Sequence, residues 1–401
     1  MSDAEPAAAH DAMSIGLRRQ MQIYQGALTG ERLSIPIPLE QLEKKAAEVL
    51  DPAAYDYVAG GAAGERTMRA NLEAFSRWEI VPRMLCDVSH RDINVELFGA
   101  RLPAPLLLAP IGVQGIVRAE GELASGRAAA SLGVPFVLST LSSHSMEDVA
   151  EAMGSAPRWF QLYWGNDSEI TSSMLARAER AGYSALVVTL DTQILGWRPR
   201  DLQYPYLPFL KGQGLSNYFS DPIFRSRLAK PPQADPAAAI LLWTKIYSNT
   251  ALTWKDLGWL RSQTRLPILL KGILHPDDAR RALDAGMDGV MVSNHGGRQV
   301  DGAIAALDAL PEVVHAVQGR ASVLFDSGIR HGSDALKALA LGAKAVFLGR
   351  PYIWGLAVAG EAGVRDVTLN LLADLDITMG LCGCASLGAL DGSWLQKTLR
   401  P

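Results

Sequence analysis

The chain has 401 residues, 38 of them basic and 42 acidic, which gives a formal net charge of −4. This near balance gives no reason to expect a nucleic-acid partner or an anionic membrane surface. No apolar run reaches the ~20 residues of a membrane span. The length suits either two or three domains of ~150 residues or one (β/α)8 barrel with insertions.

The cysteines bear on the compartment. The chain contains Cys86, Cys382 and Cys384. An odd number in a long chain argues against a disulfide framework and for a reducing, cytoplasmic compartment. Cys382 and Cys384 stand too close together and too far from other ligands to form a metal site, so we expect no metal and two free thiols.

The first part of the chain is predicted to lie outside the main domain. Residues 1 to about 15 are alanine-rich and polar, lack the apolar core of a signal peptide, and are predicted to be disordered. Residues 38–50 start with proline and carry apolar side chains at Leu39, Leu42 and Ala46, which predicts an amphipathic helix. We therefore expect an N-terminal tail and extension at residues 1–37 and one domain at residues 38–401.

From residue 105 onward, short apolar runs recur, and helix-like segments separate most of them. Eight runs are predicted to be buried parallel strands, at residues 106–109, 136–138, 159–163, 186–190, 268–270, 290–292, 323–325 and 346–348. Residues 275–286, with proline in the first turn and Gly286 at the end, form the clearest helix. This alternation predicts an α/β fold, a (β/α)8 TIM barrel with an N-terminal helical segment. An open doubly wound sheet is the alternative, weakened because no Gly-x-Gly-x-x-Gly turn follows the first strand.

A long insertion follows the fourth predicted strand. Residues 192–266 are rich in aromatic residues, glycine and proline rather than in charge. Long insertions in compact domains are usually functional lids or disordered linkers, and the aromatic content favours a lid that packs. We assign the lid to residues 200–256. A contact between subunits is an alternative that is compatible with a lid.

The residues that close the predicted strands are the candidates for a site. In a (β/α)8 barrel the active site lies at the C-terminal ends of the strands, so these residues should gather there. In chain order they are Ala109, Pro110, Ile111, Gly112, Ser139, Gln161, Tyr163, Thr189, Asp191, Arg198, Lys271, Ser293, His295, Arg298, Asp326, Gly328, Arg330, Gly349 and Arg350. Polar groups at the ends of so many hydrophobic strands are expected of a site and are poorly explained by folding alone.

The sixth strand end carries the groups for proton transfer. His295 and Arg298 follow it within one turn, separated by a glycine pair that lets the backbone approach a ligand. This arrangement suits removal of a proton from a substrate whose carboxylate is held by arginine; a structural histidine beside a surface arginine is the alternative. Asp191 could orient His295, or it could cap a helix. Arg198 and Tyr163 are predicted to join Arg298 on the carboxylate.

The last strand ends predict a phosphate site. Gly328 with Arg330 and Gly349 with Arg350 follow the seventh and eighth strands, where such barrels bind phosphate through backbone N–H groups. Surface charge is the alternative, but two such pairs on adjacent strands favour phosphate. Lys271 ends a buried strand, where a lysine without a partner would be costly. A negative charge is therefore expected beside it.

Several motifs resemble those of the FMN-dependent α-hydroxy-acid oxidising family. They are QLY at 161–163, TLDT at 189–192, LKG at 270–272 and SNHGGRQ at 293–299, and the match runs from about residue 38 to residue 355. The resemblance implies FMN as the cofactor, with Lys271 holding negative charge on the reduced ring and with Gln161 and Thr189 bonded to its polar edge. It also implies that Tyr57 donates to the substrate carboxylate and that Tyr55 lies outside the site. The other implied cofactor-binding residues are Ala109, Pro110, Ile111, Gly112, Ser139, Ser293, Asp326, Gly328, Arg330, Gly349 and Arg350.

Three further stretches indicate a subfamily and therefore a reaction. The stretches IYQGAL at 23–28, GWRPRD at 196–201 and FLKGQGLSNY at 209–218 look most like lactate 2-monooxygenase. One departure leaves the chain length of the substrate open: after Tyr163 the family pattern has an aromatic residue and proline, and this chain has Trp164 and Gly165.

The resemblance implies oxidation of a small L-2-hydroxy acid by O2, with lactate and O2 giving acetate, CO2 and water as the first expectation. An oxidase that releases a 2-keto acid and H2O2 is the second. A dehydrogenase that uses a quinone or cytochrome and a flavin-binding protein without turnover are further alternatives. The resemblance also implies a homo-oligomer, a tetramer or octamer. The charge balance and the lack of a membrane-spanning run predict no nucleic-acid or membrane partners.

Overall fold

The computed structural model describes residues 13–31 and 33–398, in which parallel strands close into a barrel. The strands are β1 Trp78–Ile80, β2 Val95–Leu97, β3 Ala100–Leu102, β4 Leu106–Leu108, β5 Phe136–Ser139, β6 Arg158–Leu162, β7 Leu186–Thr189, β8 Ile268–Ile273, β9 Gly289–Val292, β10 Ser322–Phe325, β11 Ala345–Leu348 and β12 Leu395–Lys397. Strands β4 to β11 form the barrel, and β11 pairs with β4 to close it. Each predicted run coincides with one barrel strand, so the (β/α)8 prediction is confirmed and the open sheet is wrong.

Alternating side chains explain why these short runs form a barrel. One set points inward and forms a single interior cluster, while the next residues along each strand pack beneath the helices. The inward set is Leu107, Val137, Trp159, Val187, Leu269, Met291, Leu324 and Phe347. The hairpin of β2 and β3 adds Leu97 and Leu102 to this cluster, and Phe98 at its tip packs on Trp159 with ring centroids 5.6 Å apart. The interior is therefore a packed core.

Helices surround the barrel, and others lie before its first strand and after its last strand. They are α1 Ile15–Thr29, α2 Leu39–Val49, α3 Pro52–Ala59, α4 Arg66–Ser76, α5 Gly121–Leu132, α6 Met146–Met153, α7 Ser168–Arg180, α8 Pro199–Gln203, α9 Ser216–Phe219, α10 Pro222–Ser226, α11 Pro236–Ile246, α12 Leu257–Gln263, α13 Pro276–Asp284, α14 Ala306–Val317, α15 Gly332–Ala340 and α16 Arg350–Cys382. The helices predicted at residues 38–50 and 275–286 are α2 and α13. Among the described residues, no helix is both long enough and apolar enough to cross a membrane.

The N-terminal extension packs on the main body. The predicted disorder of residues 1 to about 15 falls mostly outside the described residues, and Ser14, which is described, caps α1 by accepting the N–H of Leu17. Helix α1 lies on α16, and the N–H of Gly16 donates to Asp376 Oδ2 at 2.9 Å. The domain boundary at residues 37 and 38 stays a prediction.

The insertion between β7 and β8 folds into short helices, α8 to α12. Its aromatic side chains Phe209, Tyr218 and Trp243 are buried, as expected of a segment that packs. Asn217 fixes it to the barrel, since its Nδ2 donates to the carbonyl oxygens of Ser139 and Thr140 at 3.2 and 3.1 Å. The insertion thus packs against the strand ends, and its behaviour as a lid stays a prediction.

Candidate active site

A cavity of about 1110 Å³, counted with its open mouth, lies at the C-terminal ends of the barrel strands. Most of the predicted site residues line it. They are Tyr57, Ala109, Pro110, Ile111, Gly112, Ser139, Tyr163, Arg198, Lys271, His295, Arg298, Asp326, Gly328, Arg330, Gly349 and Arg350. Gln161, Asp191 and Ser293 lie behind this lining and form hydrogen bonds with it. Thr189 lies behind it as well and accepts a hydrogen bond from Gln161. Tyr55 does not line the cavity and instead packs on Trp354.

The cavity holds a histidine–carboxylate pair. His295 Nδ1 lies 2.7 Å from Asp191 Oδ1, and Thr192 Oγ1 donates to the same carboxylate oxygen at 2.9 Å. Asp191 can approach because Gly272 of β8 has no side chain: a Cβ there would lie 2.8 Å from Asp191 Cβ. The helix-cap alternative for Asp191 is wrong, since the next helix begins only at Pro199.

Burial and neighbouring charges set the protonation of this pair. Burial lowers the pKa of His295 below its ordinary value, although Asp191 opposes the shift. Burial alone would raise the pKa of Asp191, but His295 and Lys271 bring it well below the usual range. Burial would likewise lower the pKa of Lys271, yet Asp191 and Asp326 raise it. At neutral pH the pair is a neutral imidazole beside an ionised carboxylate, which is the state that a general base requires.

Polar side chains in and behind the cavity wall form two hydrogen-bonded groups. Lys271 Nζ lies 3.0 Å from Ser293 Oγ, at a bulge where the register between β8 and β9 shifts. Gln161 Nε2 donates to Thr189 Oγ1 at 3.0 Å, and Ser139 Oγ donates to Gln161 Oε1 at 3.0 Å. A fixed cation and oriented polar groups on one wall suit an electron-rich heteroaromatic ring such as the flavin that the motifs imply.

Two arginines meet on one side of the histidine. Arg198 and Arg298 each lie with the guanidinium carbon 5.3 Å from the ring centroid of Tyr57. Arg198 forms an ion pair with Asp201 at 2.8 Å, but its buried Nη2 has no hydrogen-bond partner among the described residues. Burial and the nearby Arg198 lower the pKa of Arg298 to about 10. This excess of buried positive charge fits a bound carboxylate.

A second cationic cluster lies at the ends of β10 and β11. Gly349 is the N-cap of α16, so Arg350 stands at the start of that helix. The Nε of Arg350 donates to the carbonyl oxygen of Val58 at 3.0 Å. Burial, together with Arg298 and Arg330, lowers the pKa of Arg350 to about 9. Half-buried arginines beside a helix N-terminus fit a phosphate group, which FMN carries.

Several residues of the site were not predicted from the sequence. The cavity is also lined by Leu195, Phe209 and Tyr247 from the insertion, and aromatic content alone could not assign a position to each. Asn71 of α4 and Asn294 exchange two hydrogen bonds, of 2.8 and 2.7 Å, which hold the turn before His295 against α4. These two residues are 223 positions apart, so no local pattern reveals the pair.

Known proteins resemble this chain in sequence and in structure. A family model described as FMN-dependent dehydrogenase matches residues 46–397. An L-lactate oxidase of Lysinibacillus sphaericus is 47% identical over 90% of this chain and 93% of its own length. An FMN-dependent alpha-hydroxy acid dehydrogenase of Penicillium citrinum is 46% identical over 95% of this chain and 96% of its own length. A crystal structure of mandelate oxidase superposes with a TM-score of 0.80, at 40% identity, over 91% of this chain and 99% of that one.

Proposed function

We propose that this chain, which belongs to the FMN-dependent dehydrogenase family, oxidises a small L-2-hydroxy acid and passes the electrons to O2. The family membership makes it an FMN-dependent 2-hydroxy-acid oxidoreductase. The observation that carries the proposal is the 2.7 Å contact between His295 Nδ1 and Asp191 Oδ1, beside the buried and partly unpartnered guanidinium of Arg198. A base and a carboxylate clamp in one cavity are what a 2-hydroxy acid needs.

The residues present fit FMN in two places. Arg330 and Arg350 would hold the phosphate together with the N-terminus of α16. Lys271, with Gln161 and Thr189, would lie against the ring. Bound there, FMN supplies the acceptor for the two electrons from C2 and the route by which they reach O2.

The protein's own groups do the remaining work. Arg198 and Arg298 bind the substrate carboxylate, and Tyr57 and Tyr163 add phenolic donors. His295 takes a proton from the bound acid through Nε2, because Asp191 accepts the hydrogen bond of the Nδ1–H. Asp191 keeps its charge and stabilises the imidazolium that forms. The clamp and the base together fix C2 in one orientation.

The finer proposal is a lactate 2-monooxygenase, which converts lactate and O2 to acetate, CO2 and water. It is supported by the resemblance at residues 196–201 and 209–218 and by an insertion whose Phe209 and Tyr247 line the cavity. A closed cavity would keep the 2-keto acid beside the reduced oxygen species long enough for decarboxylation. An oxidase that releases H2O2 is the second candidate, favoured by the L-lactate oxidase that is 47% identical.

The same resemblance supports a homo-oligomer, a tetramer or octamer. The length and aromatic content of the insertion support a lid at residues 200–256 on the domain at residues 38–401. The cysteine content supports a cytoplasmic location. The free cysteines, among the described residues, agree with a reducing compartment.

One experiment tests the reaction class and its outcome. The purified holoenzyme is mixed anaerobically with L-lactate, glycolate and mandelate, and the flavin absorbance is followed. We expect bleaching by at least one acid and none by the corresponding amides, because an amide cannot form the arginine–carboxylate contact. Failure of every acid to bleach the flavin would leave a flavin-binding protein without turnover. In air, acetate and CO2 without peroxide support the monooxygenase, whereas one H2O2 per O2 consumed supports the oxidase.

A further inference from the structure

The segment after β6 departs from the family pattern at Gly165, and the structure gives that glycine a specific contact. A Cβ at residue 165 would lie 2.5 Å from the carbonyl oxygen of Ile246, which is the last residue of α11. The clashing atom belongs to the backbone, so any side chain would force the two segments apart. Gly165 therefore allows the insertion to approach the barrel closely.

Hydrogen bonds then join the two segments. The N–H of Asn166 donates to the carbonyl oxygen of Ile246 at 2.9 Å, and its Nδ2 donates to that of Lys245 at 2.8 Å. In return, Asn249 Nδ2 donates to the carbonyl oxygen of Gly165 at 3.2 Å. Helix ends leave carbonyl groups without intrahelical partners, and Asn166 satisfies those at the end of α11. The C-terminal end of α11 is thereby fixed over the end of β6.

The residue that follows α11 is consequently held inside the cavity. Tyr247 packs edge-on against Tyr163, with ring centroids 5.7 Å apart, and lies 4.8 Å from the ring of Trp243. It lines the same cavity as His295 and Arg198. Burial raises the pKa of the Tyr247 phenol well above its ordinary value, so the hydroxyl stays protonated.

Charged and aromatic side chains line the same cavity. Arg198 and Arg298 hold the carboxylate, so the substituent at C2 must point away from them. Phe209 and Tyr247 of the insertion, with Leu195, form apolar lining of the same cavity. A rigid aromatic ring limits the room for that substituent more sharply than a flexible side chain does.

We infer that Tyr247 is a specificity-determining residue whose ring restricts the substrate to 2-hydroxy acids with a small C2 substituent, and that Gly165 is the positioning residue that holds it there. This inference rests on the proposed function and deepens it. The substrate class is an acid of the size of lactate or glycolate, and an aryl substituent as in mandelate is excluded by the ring.

The test compares substrate preference in four single variants of the holoenzyme. Rates of anaerobic flavin reduction are measured with lactate and mandelate. We expect Tyr247→Ala to shift the ratio of kcat/KM for lactate over mandelate at least ~10-fold towards mandelate, the scale that a change of pocket size gives. Tyr247→Phe keeps the ring and should keep the ratio. Gly165→Ala should shift the ratio in the same direction as Tyr247→Ala.

The matched control is Phe219→Ala, because Phe219 is an aromatic residue of the insertion that packs on Phe224 without lining the cavity. It should leave the ratio unchanged. The double variant Gly165→Ala/Tyr247→Ala should shift the ratio no further than Tyr247→Ala alone, since residues that act through one another are not additive. A general loosening of the insertion would instead move the ratio in Phe219→Ala as well, which would overturn the assignment to Tyr247.

Binding of the 2-keto acids tests the role of Tyr247 without requiring the proposed reaction. Dissociation constants of pyruvate and benzoylformate are read from the flavin absorbance without turnover. Tyr247→Ala should improve benzoylformate binding relative to pyruvate. If no hydroxy acid reduces the wild type, the proposed reaction is wrong, and these constants still test the role of the ring. If reduction proceeds but neither ratio moves in Tyr247→Ala, the inference is wrong while the proposed reaction stands.

Discussion

His295 reaches the substrate cavity through an unusual backbone conformation. Its φ is +58°, in the left-handed region that a residue other than glycine rarely adopts, and Gly296 and Gly297 follow with φ of +62° and +76°. The turn is held in place because Gly297 lies against α4, where a Cβ would come within 2.6 Å of the backbone of Met68. Strain of this kind persists where surrounding contacts enforce it, and it clusters at functional sites.

The charge on Asp191 should control how basic His295 is. Asp191 raises the pKa of His295 against the effect of burial. In Asp191→Asn that opposing effect is lost, so the pKa of His295 falls further and the imidazole becomes a weaker base. We expect the acid limb of the pH profile of flavin reduction to move to lower pH while the plateau rate drops. Stopped-flow reduction by lactate between pH 5 and 9, a range set by the ordinary pKa of histidine near ~6.5, measures both.

His295→Gln provides the comparison for that profile. Without the imidazole the acid limb should disappear and the rate should fall at least ~100-fold, the usual scale for a general base. An acid limb that survives in His295→Gln would assign the titration to another group. A profile of Asp191→Asn that matches the wild type would show that the carboxylate does not act on the base.

At the scale of elements, the strands were predictable and the contacts between distant elements were not. The run LLL at β4 or VMV in β9 is apolar on both faces, as a strand covered on both sides must be, so eight such runs revealed the barrel. The polar residue after each strand followed from the same pattern, because the strands of a barrel end on one face. The exchange between Asn71 and Asn294 depends on where α4 packs, which no local pattern encodes.

The insertion illustrates the same limit. Its aromatic content predicted that it packs, yet the side chains that enter the cavity depend on single backbone contacts such as that of Gly165 with Ile246. The departure at Gly165 was visible in the sequence, but its partner 81 positions away was not. The sequence thus predicted that the insertion packs, but not which of its side chains line the cavity.

A substitution within the insertion tests whether it retains the product. Phe209 lines the cavity and packs on Tyr57 and Trp243, with ring centroids 6.4 and 5.4 Å apart. Phe209→Ala should open the cavity, so the 2-keto acid and the reduced oxygen species separate before they react. For the proposed monooxygenase, we expect products to shift from acetate and CO2 towards pyruvate and free H2O2.

The readout is the amount of acetate, pyruvate and H2O2 formed per O2 consumed, with and without catalase. This single substitution is preferable to deletion of residues 207–218, because the deletion would also remove Asn217. The side chain of Asn217 donates to the carbonyl oxygens of Ser139 and Thr140 and so fixes the insertion to the barrel. Phe219→Ala serves as the control and should leave the products unchanged. An acetate-forming wild type whose products do not shift in Phe209→Ala would refute retention by the insertion while leaving the assignment intact.

At the scale of the whole molecule, the two ends of the chain support each other. Helix α16 begins at Arg350 in the proposed phosphate site, is kinked at Ala359 and Gly360, and runs to Cys382; α1 packs on the part beyond the kink. Arg91 joins the contact: its Nε donates to Asp376 Oδ1 at 2.8 Å, and the other oxygen of that carboxylate accepts from Gly16. The predicted tail at residues 1–37 therefore contains a helix that packs on α16, the element that begins at Arg350.

Two glycines of α1 allow this docking to be tested within one helix. A Cβ at Gly16 would lie 2.6 Å from Ile377 and 2.9 Å from the backbone oxygen of Ala373, whereas a Cβ at Gly26 would meet only the flexible side chain of Glu31 at 3.3 Å. Gly16→Ala should therefore push α1 away from α16 and destabilise the protein by about 1–3 kcal/mol, the usual effect of overpacking. Gly26→Ala should be neutral or stabilising by up to ~1 kcal/mol, because alanine favours the helix.

The stability of both variants is measured by unfolding in urea. Circular dichroism follows the loss of structure, and FMN fluorescence follows the release of the cofactor. We expect Gly16→Ala to lower the midpoint of both signals together, because α16 connects the α1 contact to Arg350 in the phosphate site. Equal midpoints for Gly16→Ala and Gly26→Ala would mean that α1 contributes nothing to stability in solution. A lower midpoint by circular dichroism with unchanged release of FMN would mean that α16 does not couple the two ends, since the phosphate site would then hold its ligand without support from α1.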